Sequence, residues 1–447
     1  MPELAAAIAY LRSPLAIRAR CEAVFDAALA GSLDHFTVDP GALPAVADRV
    51  VAVTRAAYPS GKIPVHGRTN HFRAGGVDRV AALDARLAGL PPDERARAWV
   101  DLIVVSVLLD AGAGDAWRYR EPGTDVTLAR SEGLAVASLH AFEAGAFSSD
   151  PARPLAADAA GLRALDPDRL ARAFQVAADN PIAGFDGRVG LVRALGDAVA
   201  AAPRWFPGER PGGLVDSLGA APGMRSGGST DSGGAADKLA AAPDHTSPFS
   251  LASSPGDIER STAGTIDAAA ILAALLDGLA PIWPGRIELG GVNLGDVWRH
   301  PAAGGSGPSA GLVPFHKLSQ WLAYSLFEPL ERTGKTIVRP GALTGLSEYR
   351  NGGLFVDLGV IVPRRPDIRT TVHSPGDEVI VEWRVLTVAL LDRIAEAVRE
   401  RLGKSPAELP LACVLEGGTW AAGRAVAAEL RPGGGPPIQI RSDGTVF

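Results

Sequence analysis

The sequence predicts a mainly α fold: one large helical domain with a few short strands over residues 1–447, interrupted by a flexible low-complexity insertion at 208–262. Three observations predict it. Apolar residues recur at helical spacing through long segments such as 93–110 and 378–402. No regular alternation of strand and helix patterns follows them, as a doubly wound sheet would require. Residues 208–262 are rich in Gly, Ser, Pro and Ala, with too little apolar content to bury the surface that ordering needs.

Composition narrows the function classes. Lys and Arg number 44 against 50 Asp and Glu, and no long basic run occurs, which argues against general nucleic-acid binding through phosphates. A small-molecule partner is expected. Cys21 and Cys413 are the two cysteines, too few for a disulfide scaffold or a cysteine-based zinc site. The apolar N-terminus is broken by arginines and Pro14 before a signal core can form, and no uncharged run reaches the ~20 residues of a membrane span. A soluble, cytoplasmic protein without membrane partners is therefore expected.

Taken in order, the chain reads as a helix over 3–30, a turn at Gly31-Ser32 and a helix from Pro44 to Ala57. Residues 34–39 between them are too polar for a strand interior. The loop at 58–76 gathers His66, Arg68, His71 and Arg73. Without a nearby carboxylate in sequence it is a poor metal site, and no metal or cofactor is expected. Anion or hydroxyl binding fits it, as does a solvated loop. Residues 93–110 fit a core helix with an N-cap aspartate, although VDLIVVSVLLD also fits a buried strand. A strand followed by Asp110-Ala111-Gly112-Ala113-Gly114 would resemble the glycine-rich turn of nucleotide-binding folds, but no third glycine or good helix opening follows. With a helix, Gly112 and Gly114 are a stop signal. Arg118 lies just beyond, and Ser131 is the expected cap of the next helix. Helices fit 157–163, 167–178 and 184–202, and another follows the insertion from Ile266. Residues 284–300 read as mostly loop.

The stretch from Leu312 to Gly353 is the richest in chemistry. A helix is expected from Val313-Pro314, with Lys317, Gln320, Trp321 and Tyr324 on one face at i, i+3, i+4 and i+7. Lys317 in a first turn opposes the helix macrodipole, so an anion is a better reason for it than stability. The alternative is pairing with a nearby acid, the aromatics being core. Turn signals at Thr344-Gly345 and Asn351-Gly352-Gly353 place Glu348, Tyr349 and Arg350 in or beside a loop. A carboxylate there can stabilise a developing cation or activate water. Further on, Glu378–Leu402 reads as a buried helix in which Glu382 and Arg384 need partners. Glu416 and Trp420 flank an expected Gly-Gly turn, and the chain closes as an extended tail.

These motifs, from HGRTNHFRAGGVDR and RSEGLAVAS through GGVNLGDVWRH, PFHKLSQWLAYSLFEPL and LTGLSEYRNGG to LEGGTWAAGR and SDGTVF, resemble nearly end to end the uracil-catabolism proteins of the URC pathway, a family of formerly unknown function. That pathway frees urea from uracil through ribosylated intermediates. A second, more distant resemblance is to the queuosine-salvage nucleotide N-glycosidases, helical enzymes related in shape to DNA glycosylases. Phe315, Lys317 and Gln320 match their aromatic-x-Lys-x-x-Gln pattern, and Ser347-Glu348-Tyr349-Arg350 matches their Ala-Asp-Tyr-Arg box with glutamate in place of aspartate.

The resemblance implies hydrolysis of an N-ribosyl bond, with Lys317 binding substrate and Glu348 as the acidic catalytic residue. The expected substrate is ribosylurea 5-phosphate or a related nucleotide, yielding urea and ribose 5-phosphate. Candidate substrate-binding residues are Gln320, Trp321, Tyr324, Tyr349, Arg350, Asn351, His66, Arg68, His71, Arg118, Glu382 and Trp420. A phosphoribosyltransferase-like enzyme is the rival, though no acidic run or glycine-threonine loop for pyrophosphate and magnesium is found. A binding or scaffold protein is the other.

Overall fold

The computed structural model describes residues 2–110, 112–114, 116–202, 264–283 and 286–441. The insertion expected at 208–262 lies outside them.

Glu378–Leu402 is a helix of 25 residues whose positions 379–391 are all buried. A run without a polar face leaves no side for water, so neighbours must enclose it. The helices Pro14–Leu29 and Leu43–Ala57 pack along it. Gly403, at φ 63°, ends it with a left-handed cap. Pro92–Leu108 is likewise buried from Trp99 onward, and it packs against Lys317–Glu331 and Arg130–Glu143. Its helical state removes the strand on which a glycine-rich nucleotide turn would depend. Most buried apolar residues among those described form one continuous cluster from Ile17 to Ile438, beside a small second one of Leu11, Leu294, Val297 and Leu312.

The fold is mainly helical, and the strands among the described residues are short. They form six two-stranded ladders with strands of two or three residues. None of the described helices is long and apolar enough to cross a membrane.

Several boundaries differ from expectation for physical reasons. The helix expected over 3–30 breaks at Arg12-Ser13, where the Ser13 hydroxyl accepts from the Ala16 amide at 3.2 Å and Pro14 opens a new helix. Phe36–Val38 is a strand after all, paired antiparallel with Ile361–Pro363, a partner more than 300 residues away. Pro314 does not start a helix. Leu312–Pro314 pairs antiparallel with Val297–Arg299, and the helix begins at Lys317 after His316 takes a left-handed conformation at φ 47°. The Phe315 and His316 amides donate to the Asp296 carbonyl. Asn351-Gly352-Gly353 is no turn: Tyr349–Asp357 is a helix, and Glu348 is its N-cap. Ser131 is not a cap either, since its helix opens at Arg130 behind Ala129. The expected Gly-Gly turn is a π-helical stretch, Leu415–Thr419, joining Leu411–Val414 to Trp420–Leu430 without a break.

Candidate active site

Remote parts of the chain meet around one cleft: the 66–71 turn, Asp110 and Gly112, Arg130 to Glu132, the two elements carrying Lys317 and Glu348, and the helix carrying Trp420 and Arg424. The cleft encloses about 680 Å³, part of it open to solvent, and Lys317, Glu348, Asp110, His66, His71, Trp321, Tyr349, Arg350 and Trp420 are among its lining residues.

Lys317 is placed by Asp296. That carboxylate accepts from the Lys317 amide at 3.0 Å, from both Arg384 Nη groups at 2.8 Å and from the Trp298 indole at 2.6 Å. Burial alone would raise the Asp296 pKa, but Arg384 and these donors hold it well below the usual carboxylate range. Arg384 thus finds its partner in Asp296 rather than on its own helix. The Lys317 ammonium makes no hydrogen bond or ion pair within the described residues. Burial lowers its pKa, and the negative charges of Glu348 and Asp110 oppose that fall most.

Glu348 is 8% exposed. As N-cap, its Oε1 accepts from the Asn351 amide at 2.5 Å and its Oε2 from the Arg350 amide at 2.7 Å. Burial pushes its pKa from 4.5 up to about 7, against the pull of the Asn351 amide, Lys317 and His66. It is therefore poised to give or take a proton near neutrality.

Asp110 supplies a second carboxylate. Its Oδ2 pairs with the fully buried Arg68 at 3.1 Å, while its Oδ1 is buried without a hydrogen-bond partner. Arg68 is fixed in turn by the Ser106 hydroxyl and carbonyl, at 2.6 and 3.0 Å, and by the Ser131 carbonyl at 3.2 Å. Sequence reading took Asp110 as the last residue of the 93–110 helix, ahead of the Gly112 and Gly114 stop. The missed signal is the one that singled out Lys317: an acid at a helix C-terminus opposes the macrodipole just as a lysine does at the N-terminus.

The walls are aromatic. The His71 ring lies 5.8 Å from Trp321 and 6.1 Å from Trp420, centroid to centroid. Burial and the Arg68 charge lower the His71 pKa, so the ring is neutral at pH 7. Its Nδ1 and the Trp321 Nε1 are both buried without hydrogen-bond partners. His66 Nδ1 binds the Glu416 carboxylate at 2.7 Å. Burial would raise the Glu416 pKa, but His66 brings it below its ordinary value. The loop histidines thus have a carboxylate neighbour that the sequence placed 350 residues away. Arg130, Arg350 and Arg424 add positive charge. Arg350 donates to the Gly434 carbonyl at 2.7 Å, Arg130 to the Gly433 carbonyl at 2.8 Å, and Arg424 pairs with Glu132.

The remaining sequence candidates lie elsewhere. Gln320 is buried and locks Phe315 to Thr344, donating to the Phe315 carbonyl at 3.0 Å and accepting from the Thr344 amide at 2.9 Å. The Tyr324 hydroxyl donates to the Thr344 carbonyl at 3.1 Å. Both support the cleft without lining it. Asn351 is buried beneath it, donating to the Leu346 carbonyl at 3.3 Å. Arg68 acts through Asp110. Arg118 is exposed and away from the cleft, with its amide and guanidinium held by Asn180 and the Trp117 carbonyl. Glu382 is fully buried on another face of its helix, accepting from the Phe36 amide at 2.9 Å and the His35 amide at 3.3 Å.

Fold and cleft together define a helical protein with an aromatic pocket that opposes one ammonium to two buried carboxylates. Comparison with known sequences places it more closely. The chain belongs to the family described as a protein of unknown function, DUF1688, which matches residues 10–447. It is 39% identical over 448 residues to protein urg3 of Schizosaccharomyces pombe, a match covering 98% of this chain and 99% of that relative. It is 36% identical over 472 residues to Uracil catabolism protein 4 of Lachancea kluyveri, again covering 98% and 99%.

Proposed function

We propose that the protein acts in uracil catabolism by hydrolysing an N-ribosyl bond, with ribosylurea 5-phosphate as the substrate class and urea and ribose 5-phosphate as products. The name of the Lachancea relative supports the pathway. The observation that carries the chemistry is the shared cleft of Lys317, Glu348 and Asp110.

Cleavage of such a bond builds positive charge at the anomeric carbon while the departing nitrogen gains a proton. In this reading the protonated Glu348 gives its proton to the urea nitrogen as the C–N bond breaks. Asp110, with Oδ1 unpartnered, faces the cationic carbon and accepts a proton from the attacking water. Lys317 anchors the phosphate, a remote contact whose binding energy orients the reacting centre. The indoles and imidazoles exclude bulk water, which strengthens the field of the Asp110 carboxylate at the cationic carbon.

The test is incubation of purified protein with ribosylurea 5-phosphate and assay of urea. Urea release without added pyrophosphate is expected. No urea from folded protein overturns the substrate assignment, and a strict pyrophosphate requirement turns the reading toward a transferase.

A further inference from the structure

We propose that His35, Glu378 and Glu382 form a binding site for one divalent transition-metal ion, remote from the cleft, that fastens the segment after Pro14–Leu29 to the helix Glu378–Leu402. One donor atom from each residue lies within 4.8 Å of the other two. The carboxylates are four residues apart on one helix face, and the imidazole arrives from the turn before Phe36.

Glu382 is the observation that points to a ligand. It is 0% exposed. Its Oε1 is fully engaged, taking the Phe36 and His35 amides, whereas its Oε2 is buried with no hydrogen-bond partner. A carboxylate out of water needs a compensating positive charge, and among the described residues neither a lysine nor an arginine pairs with it. Arg384, two residues on, is committed to Asp296.

His300 comes nearest, with Nε2 at 3.7 Å from Oε2, beyond hydrogen-bond reach. Its Nδ1 accepts from the Ala302 amide at 3.2 Å, so its Nε2 carries the proton and cannot be a metal ligand in that tautomer. It faces the same Oε2, and drawn slightly closer it would orient that carboxylate as an outer partner does.

His35 Nε2 already lies 3.6 Å from Glu378 Oε1. Tetrahedral ligands about 2.1 Å from zinc stand about 3.4 Å from one another, so this pair has nearly the right spacing. Glu378 is 42% exposed at its side chain and free to close the rest. One imidazole and two carboxylates suit zinc, manganese or iron better than calcium or magnesium.

The test uses the full chain stripped with a chelator, dialysed and titrated calorimetrically with zinc chloride and separately with manganese chloride. One equivalent of at least one ion is expected to bind, and it should raise the thermal unfolding midpoint, since binding favours the folded state. Loss of outer-shell partners costs roughly 10- to 100-fold in affinity, so Glu378→Gln and His35→Gln, each removing a ligand, should cost at least about 100-fold. Both positions are partly exposed, and circular dichroism checks that the variants fold. The cleft variant His71→Gln should bind metal as the parent does. Absence of uptake by the parent, or unchanged uptake in Glu378→Gln, overturns the proposal; loss of uptake in His71→Gln alone would move the ion to the cleft and equally overturn it.

Discussion

Glu348 carries two duties on one carboxylate. As a cap it accepts from two backbone amides, and as a buried acid its pKa stands near 7 against 4.5 unperturbed. Because the folded state holds this proton more tightly than the unfolded chain, the group's contribution to stability is full below about pH 4.5 and is lost as pH rises through 7. The difference amounts to roughly 3 kcal/mol at most. Glu348→Gln keeps an acceptor for the cap but cannot titrate, so denaturant unfolding across pH 5 to 8 should be flatter in the variant than in the parent. If Glu348 is the proton donor, kcat should fall above pH 7 in the parent, and Glu348→Gln should lose about 100-fold or more in kcat while retaining substrate binding. Lys317→Met should instead raise KM most, read by steady-state kinetics. Sequence made Lys317 conspicuous because an ammonium in a first turn opposes the macrodipole, and Glu348 because it stood between turn signals; the cap that Glu348 forms was not legible there. Arg118 and Glu382 were equally conspicuous as charges, yet one faces solvent and the other an unrelated strand, which only the tertiary arrangement decides.

At the level of elements, close approach of helices sets the cleft's floor. Helix Trp420–Leu430 meets Tyr349–Asp357 at Gly423, where an added Cβ would overlap the Arg350 carbonyl. That neighbour is backbone and cannot swing aside. Gly423→Ala should therefore push the two helices apart, lowering stability by about 1–3 kcal/mol or more in denaturant unfolding and weakening substrate binding through displaced Glu348 and Arg350. Buried helices such as Glu378–Leu402 were legible because periodicity and length are local properties. The short strands were not. Phe36–Val38 exists because of a partner more than 300 residues away and Leu312–Pro314 because of the nearby Val297–Arg299, and their own residues carry weak or contrary signals. Pro314 illustrates the conflict: it favours a helix start by local rules, but pairing with Val297–Arg299 places it in a strand.

For the whole molecule, Asp296 links the parts that hold Lys317. It joins the long buried helix through Arg384, the Lys317 helix through its first amide, and the Trp298 strand through the indole. Its pKa is depressed from 3.8, so the stability it supplies is present at neutral pH and lost as pH falls below that value. Asp296→Ala removes the carboxylate that faces the buried Arg384, and should cost about 3–5 kcal/mol, measured as a lower urea midpoint at pH 7. Such a network is invisible in sequence because its members are spread over nearly ninety positions. The π-helical stretch Leu415–Thr419 bears on the same point. Such a stretch amounts to one residue more than α geometry requires, so it acts as a phase shifter within the continuous rod from Leu411 to Leu430. Excising Gly417 would restore an unbroken α screw and, because the stretch already absorbs that residue's step of about 100°, leave Trp420 and Arg424 facing the pocket. An alanine inserted after Thr419, within regular α geometry, would instead turn both by about 100°, leaving a chain with parental circular dichroism whose pocket has lost a wall.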